Sequence, residues 1–191
     1  KRQDTNGNAH DVYVSGNHAY VADGNGLVII DISDPTDPRK VGCFVTNVYA
    51  EDVYVSGDYA YVADWYNGLV IMDISDPTDP QQVGHFFTSG DAYDVYVSGS
   101  YAYVVNHYNG LAIIDISDPE NPQQVGYFDA IYAHDVYVSG NYVYVADGGN
   151  GLVIMDISDP TDPQQVGHFD IDGAAGVYIS GDYAYVADEN G

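Results

Sequence analysis

The chain has 191 residues and is strongly acidic: 29 Asp and Glu stand against 4 Lys and Arg, which gives a formal net charge of −25. This charge would repel a nucleic acid or an anionic membrane surface, because both are bound through Lys and Arg. No apolar run approaches the roughly 20 residues that span a bilayer, and cations are the small partners that the composition favours.

After a polar N-terminal tail, residues 1–10, the chain consists of repeats. The hexapeptide Asp-Val-Tyr-Val-Ser-Gly begins at Asp11, Asp52, Asp94 and Asp135, and a variant of it begins at Gly176. The spacings are 41, 42, 41 and 41 residues. A period near 40 residues with short strands is typical of a propeller blade. The predicted units are residues 11–51, 52–93, 94–134 and 135–175, with half a unit at 176–191.

Each unit contains four predicted strands, as the second unit illustrates. They cover residues 52–56, 59–64, 69–74 and 82–87, and Gly57-Asp58 and Asn67-Gly68 mark hairpin turns between them. The third strand is apolar on both faces of its pleat, which predicts a sheet packed between two others. The fourth is the most polar, as an outer edge strand should be. We therefore predict an all-β propeller of antiparallel four-stranded blades, four complete and one half, rather than a β-solenoid or a two-sheet sandwich.

A thirteen-residue stretch carries a family resemblance. Residues 151–163 read Gly-Leu-Val-Ile-Met-Asp-Ile-Ser-Asp-Pro-Thr-Asp-Pro, and near copies stand at 26–38, 68–80 and 110–122. With a preceding Tyr-Val-Ala-Asp and a following Val-Gly, the stretch resembles the LVIVD repeat of bacterial and archaeal cell-surface and secreted proteins. The resemblance implies an extracellular propeller with a binding or scaffolding role and no shared catalytic residues. Small departures occur at Ala112, at Glu120-Asn121 and at Gly176.

The last unit has sequence for only two strands, and residues 1–10 offer no apolar strand to complete it. An unpaired strand edge is a template for pairing with another chain. We expect either that this chain is a segment of a longer repeat protein or that it associates with itself, in a larger particle or fibre.

Recurrent aspartates form one candidate metal site. They end the third strand or begin the turn after it: Asp31, Asp34, Asp73, Asp76, Asp115, Asp118, Asp156 and Asp159. Carboxylates could bind calcium, which takes six to eight oxygen ligands. A structural role is the alternative, because an Asp before Pro accepts hydrogen bonds from its own turn.

The turns between the second and third strands differ among the units and form the second candidate site. Two neighbouring units carry aromatic residues there: Trp65, Tyr66, His107 and Tyr108. Such side chains can stack on a sugar ring or dock onto a partner protein. Varied residues at exposed loop tips are the alternative reading.

Catalysis needs an asymmetric group of residues, such as a nucleophile with its base, and the repeats provide none. We therefore predict a non-enzymatic extracellular structural or interaction module. The alternatives are a propeller that binds carbohydrate or protein, and part of a metal-dependent enzyme.

Overall fold

The structure is a computed structural model that describes residues 7–46 and 48–189. Its regular structure there is entirely β, with four sheets of four strands and one sheet of two. Within each sheet the strands neighbour one another in chain order and pair antiparallel. We name the sheets blades 1–4 and the half blade, and their strands A to D. The predicted propeller architecture is confirmed.

The strands of the first two blades are β1 (Ala9–Ser15), β2 (His18–Asp23), β3 (Gly26–Asp31), β4 (Arg39–Val45), β5 (Asp52–Ser56), β6 (Tyr59–Ala63), β7 (Leu69–Asp73) and β8 (Gln81–Phe86). Those of blades 3 and 4 are β9 (Ala92–Ser98), β10 (Tyr101–Asn106), β11 (Gly110–Asp115), β12 (Gln123–Phe128), β13 (Ala133–Ser139), β14 (Tyr142–Asp147), β15 (Gly151–Asp156) and β16 (Gln164–Phe169). The half blade contains β17 (Ala174–Ser180) and β18 (Tyr183–Asp188). The bounds predicted for the second unit agree to within one residue.

Strands A and B are joined by a tight turn with the same glycine in every blade. Gly57 has a φ of 59°, a left-handed conformation that only glycine adopts without cost. Strands B and C are joined at the opposite end of the blade, where the connection from strand D to the next blade also runs. We call this the upper end. The lower end carries the A–B turns and the Asp-Pro turns between strands C and D.

The core lies between the blades. Leu69, Val70, Ile71 and Met72 of β7 are all fully buried. Val70 and Met72 pack against blade 1, whereas Leu69 and Ile71 pack against blade 3. Strand C is therefore buried on both faces, as its sequence predicts. Strands A pack against one another in sequence around the inside of the array, and strand D lies at its outer edge.

The two ends of the array expose faces that other blades bury. Val12 and Val14 of blade 1 are 56% and 58% exposed, whereas the equivalent Val53 and Val55 are 2% and 6% exposed. Tyr185 of the half blade is likewise exposed, and the equivalent Tyr61 is buried. Among the described residues, β18 has β17 as its sole neighbouring strand. In the described ranges, 7–46 and 48–189, no helix is long and apolar enough to cross a membrane.

Candidate functional site

Aromatic side chains gather at the upper end of blades 1 to 4. Backbone hydrogen bonds hold the loops there side by side: Ala92 N–H donates to Trp65 O over 3.0 Å, and His107 N–H donates to Asp91 O over 3.0 Å. The side chains that these loops bring together are those of His10, Tyr49, Trp65, Tyr66, Tyr93, His107, Tyr108, Tyr132 and His134. We call this set the aromatic rim. It includes all four of the residues predicted to bind a ligand.

The blade 2 part of the rim is a stacked pair with a supporting row. The rings of Trp65 and Tyr66 are nearly parallel, at 12°, with centroids 4.6 Å apart. Tyr49 meets the Trp65 ring edge-on at 5.4 Å, and its hydroxyl lies 3.1 Å from His10 Nε2. The other nitrogen of His10 lies 3.1 Å from Glu51 Oε2. These contacts fix the position of the Trp65 ring, and Tyr66 remains 66% exposed.

The blade 3 part of the rim is centred on His107. Tyr93 stacks on its ring at 4.7 Å, and Tyr108 and His134 meet it edge-on at 4.5 and 4.8 Å. Burial lowers the pKa of His107, and the neighbouring His134 lowers it further. Tyr108 remains 62% exposed.

Tyr93 connects the two parts. Burial raises the pKa of the Tyr93 hydroxyl, and the charges of Glu51 and Asp91 raise it further. Its neighbour Ala92 pairs with Trp65 in an isolated β-bridge, and the Tyr93 ring itself stacks on His107. The blade 2 and blade 3 parts of the rim therefore lie side by side.

Two features mark the rim as strained and incompletely bonded. Trp65 and Tyr132, with φ of 42° and 64°, are the two non-glycine residues with positive φ among those described. Such conformations cost free energy and gather at functional sites. Trp65 Nε1, His107 Nδ1 and Asn106 Oδ1 are also buried without a hydrogen-bond partner in the described structure.

The carboxylate of Asp64, at the end of strand B, fixes the position of the rim in blade 2. It is fully buried and accepts hydrogen bonds from Thr46 Oγ1 at 2.8 Å, Tyr49 N–H at 3.0 Å and Asn67 Nδ2 at 2.9 Å. The connection from blade 1 is thereby tied to the Trp65 turn. Burial raises the pKa of Asp64, and these three donors oppose the increase. Tyr49 and Tyr132, which lie on such connections, and Tyr93, which lies in β9, were not predicted, because the sequences ahead of the repeated Asp-Val-Tyr-Val differ among the units.

The eight aspartates predicted to bind metal bond to their own turns. Asp31 accepts the Ser33 N–H at 2.8 Å, and Asp34 accepts both the N–H and the hydroxyl of Thr36. The same pattern recurs at Asp73, Asp76, Asp115, Asp118, Asp156 and Asp159. Hydrogen bonds from Ser33 and Thr36 lower the pKa values of Asp31 and Asp34. Within residues 7–46 and 48–189, no three His, Cys, Asp or Glu are grouped to hold a metal ion, and calcium binding stays a prediction.

A second set of carboxyl groups lies on the inner strands and was not predicted. Asp52, Asp94 and Asp135 each accept a backbone N–H from the next blade, at 2.9, 2.6 and 2.6 Å, from Val95, Val136 and Val177. Val95 and Val136 directly follow Asp94 and Asp135 in the chain, so these bonds bring each carboxyl group close to the one on the next blade. The charge of Asp11 also acts on Asp52, which adds Asp11 to the set. Burial is the main cause that raises the pKa of Asp52 to about 7. It is also the main cause that raises the pKa of Asp94.

We call Asp11, Asp52, Asp94 and Asp135 the inner carboxyl row. The signal for it in the sequence is the Asp that opens each unit, replaced by Gly176 in the last. Two residues further along each strand, a row of tyrosines runs parallel to it. The ring centroids of Tyr13, Tyr54, Tyr96, Tyr137 and Tyr178 follow one another at 4.8, 4.8, 5.1 and 5.4 Å.

Comparisons with known proteins agree with this architecture. A family model described as the LVIVD repeat matches residues 6–46, 48–88, 89–130, 131–171 and 173–191. No curated protein sequence matches the chain.

Solved structures share the fold at low sequence identity. A functionally unknown protein from Desulfotomaculum acetoxidans matches with a TM-score of 0.80 and 16% identity, over 96% of this chain and 63% of that one. The computationally designed Ika8 protein matches with a TM-score of 0.76 and 8% identity, over 96% of this chain and 56% of that one. The designed Ika4 protein matches with a TM-score of 0.62 and 9% identity, over 75% and 88% of the two chains. The chain thus spans less than two thirds of the first two structures, and all three likenesses concern the fold alone.

Proposed function

This chain belongs to the LVIVD repeat family, and from that premise we propose that it is a non-enzymatic, extracellular interaction module that binds its partner through the aromatic rim. The observation that supports the proposal most directly is that the pairs Trp65–Tyr66 and His107–Tyr108 stand on adjacent blades, whose loops the Trp65–Ala92 bridge joins. Exposed aromatic rings on a rigid support are the usual anchors of binding surfaces.

The distribution of polar groups supports a role without catalysis. The aspartates of the lower end are engaged in their own turns, and those of the inner strands in contacts between blades. Both sets repeat from blade to blade, so neither singles out a reacting centre. The extracellular location rests on the family resemblance.

A glycan or a surface protein is the class of partner that such a rim fits. The test is binding of the wild-type chain to glycan and protein arrays, beside a Tyr66→Ala/Tyr108→Ala variant. A matched control, Tyr178→Ala/Tyr183→Ala, removes two exposed tyrosines from the half blade. We expect the rim variant to lose the signal and the control to retain it. Equal binding by all three proteins, or recovery of a chemically altered ligand, would contradict the proposal.

Self-association is a second candidate, and the exposed end faces favour it. Val12 and Val14 belong to the face that blades 2 to 4 bury against a preceding blade. Further blades of a parent chain, or a second copy, would cover the same face. Light scattering at several concentrations tests this: mass that rises with concentration supports self-association, and a constant 20.7 kDa contradicts it.

A further inference from the structure

We infer that the partner of the rim is a neutral, linear oligosaccharide that occupies two ring subsites, one on Tyr66 and one on Tyr108. This inference rests on the proposed function, because it names the ligand class of the same surface. Three observations lead to it: the placement of the two exposed rings, the charge of the chain and the position of Tyr93.

The two exposed rings are supported in a way that suits stacking. Tyr66 has one face against the Trp65 indole, so its motion is restricted. Tyr108 stands edge-on against His107, and against Tyr132 at 5.7 Å. A sugar ring is apolar on its C–H face and polar around its edge, and aromatic rings combine an apolar face with a polar tip in the same manner. Rings that are already fixed lose little conformational freedom on binding.

The charge of the chain selects a neutral ligand. Glu51 Oε2 lies 3.1 Å from His10 Nδ1, and the Asp91 carbonyl accepts the His107 N–H over 3.0 Å, so both acidic residues belong to the rim. Every Lys and Arg lies within the first 40 residues, so blades 2 to 4 contain no basic side chain that could neutralise a carboxylate or sulfate. Sialylated or sulfated glycans would therefore be repelled. A basic protein surface remains compatible with the charge and is an outcome of the test.

The position of Tyr93 between the two exposed rings indicates a linear ligand. Tyr66 stacks on Trp65, which pairs with Ala92, the neighbour of Tyr93. Tyr93 in turn stacks on His107, the ring that Tyr108 contacts. One sugar ring cannot cover two turns on neighbouring blades, whereas a chain of several rings can. Two linked contacts then strengthen each other, because the second forms within one complex.

The experiment is calorimetric titration with cello-, malto- and chito-hexaose and with the disaccharide of each series. Emission of Trp65, the sole tryptophan, is recorded in parallel. We expect one hexasaccharide to bind at least tenfold more tightly than its disaccharide. Tyr66→Ala and Tyr108→Ala should each remove most of that advantage. Tyr183→Ala, which removes a 70% exposed ring from the half blade, should leave it unchanged.

Two outcomes would overturn the inference. Binding of an anionic glycan or a basic protein, sensitive to Tyr66→Ala while every neutral hexasaccharide fails, overturns the ligand class and leaves the proposed function standing. Neutral oligosaccharide binding that is unaffected by both rim variants overturns the site and the proposed function together.

Discussion

At the scale of single residues, the position at the end of strand B decides how the upper end is built. Asp64 and Asp147 are buried and accept bonds from the incoming connection and from their own turn. In blade 3 the equivalent residue is Asn106, whose Oδ1 is unpaired. The blade 3 turn is tied to the incoming connection by Asn109 instead, whose Nδ2 donates a hydrogen bond to Ser89 O.

The first prediction concerns Asp64→Ala. The substitution leaves Thr46, Tyr49 and Asn67 without their acceptor inside the protein. Because each unpaired buried donor costs about 1–3 kcal/mol, we expect the free energy of unfolding to fall by roughly 3 kcal/mol in urea denaturation. Asp58→Ala, in the exposed A–B turn of the same blade, removes the same charge and should change stability by less than about 0.5 kcal/mol. Similar losses in both variants would refute a structural role for Asp64.

The second prediction concerns the inner carboxyl row and pH. Burial raises the pKa of Asp52 to about 7, so between pH 4 and 7 the folded chain holds more protons than the unfolded chain. The contribution of the inner carboxyl row to the free energy of unfolding is therefore complete below pH 4 and is lost as the pH rises towards 7. We expect the free energy of unfolding to be lower at pH 8 than at pH 5. His107, with its lowered pKa, acts in the opposite direction below pH 6.5.

The variant Asp94→Asn distinguishes the effect of the inner carboxyl row on this pH dependence from the effects of other titrating groups. The Asn amide can donate to a neighbouring carboxylate and can still accept the Val136 N–H, so it resembles a protonated Asp. Urea denaturation from pH 5 to pH 8 should show a flatter profile for Asp94→Asn and a higher stability than wild type at pH 8. Asp58→Asn, which makes the same change of charge on the surface, should follow the wild-type slope. A wild-type slope in Asp94→Asn would rule out the row as its source.

At the scale of structural elements, strand D of one blade touches the lower turn of the next. A Cβ atom added at Gly84 would lie 1.9 Å from Pro119 O, and one added at Gly126 would lie 2.0 Å from Pro160 O. The Val-Gly after each Asp-Pro turn is therefore a contact between blades, where only hydrogen fits. This explains why glycine occurs in the middle of an otherwise ordinary strand.

The third prediction uses the repeats as their own control. Gly84→Ala should lower the free energy of unfolding by about 2 kcal/mol, because the backbone of the next blade must move. Gly167→Ala is the matched variant, since a Cβ atom there would meet only the Ile154 side chain, at 3.2 Å. Its effect on stability, measured by thermal and urea denaturation, should be smaller. A larger loss for Gly167→Ala would mean that strand conformation, rather than contact between blades, sets the cost.

The elements were predictable because alternation and turn chemistry act within a few residues. The hexapeptide and the Asp-Pro turns locate strands A and C in every complete unit, and the period indicates their stacking. The inner carboxyl row was not predictable in the same way. Asp52 and Asp73 look alike in the sequence, yet Asp52 accepts the Val95 N–H of the next blade, whereas Asp73 accepts the Ser75 N–H of its own turn. The candidate ligand residues were predicted, whereas Tyr93, which connects them, lies outside the repeated pattern.

At the scale of the whole molecule, the upper and lower ends of the blades differ in chemistry. The lower end repeats Asp-Pro-Thr-Asp-Pro turns, whereas the upper end carries the aromatic rim. A net charge of −25 on 191 residues makes the folded chain repel itself, since folding brings the carboxylates closer together. Mobile cations gather around such a surface and weaken this repulsion over about 10 Å at 0.1 M salt.

The fourth prediction follows from this self-repulsion. We expect the melting temperature at pH 7 to rise with NaCl, and to rise also with CaCl2, because both screen the carboxylates that folding concentrates. MgCl2 at the same concentration is the control: an equal rise means general screening, and a larger rise with CaCl2 means that the turn aspartates coordinate calcium. Asp76→Asn should reduce that calcium-specific part, whereas Asp58→Asn should not. A melting temperature that responds to none of the three salts would show that repulsion between surface carboxylates does not limit the stability of this fold.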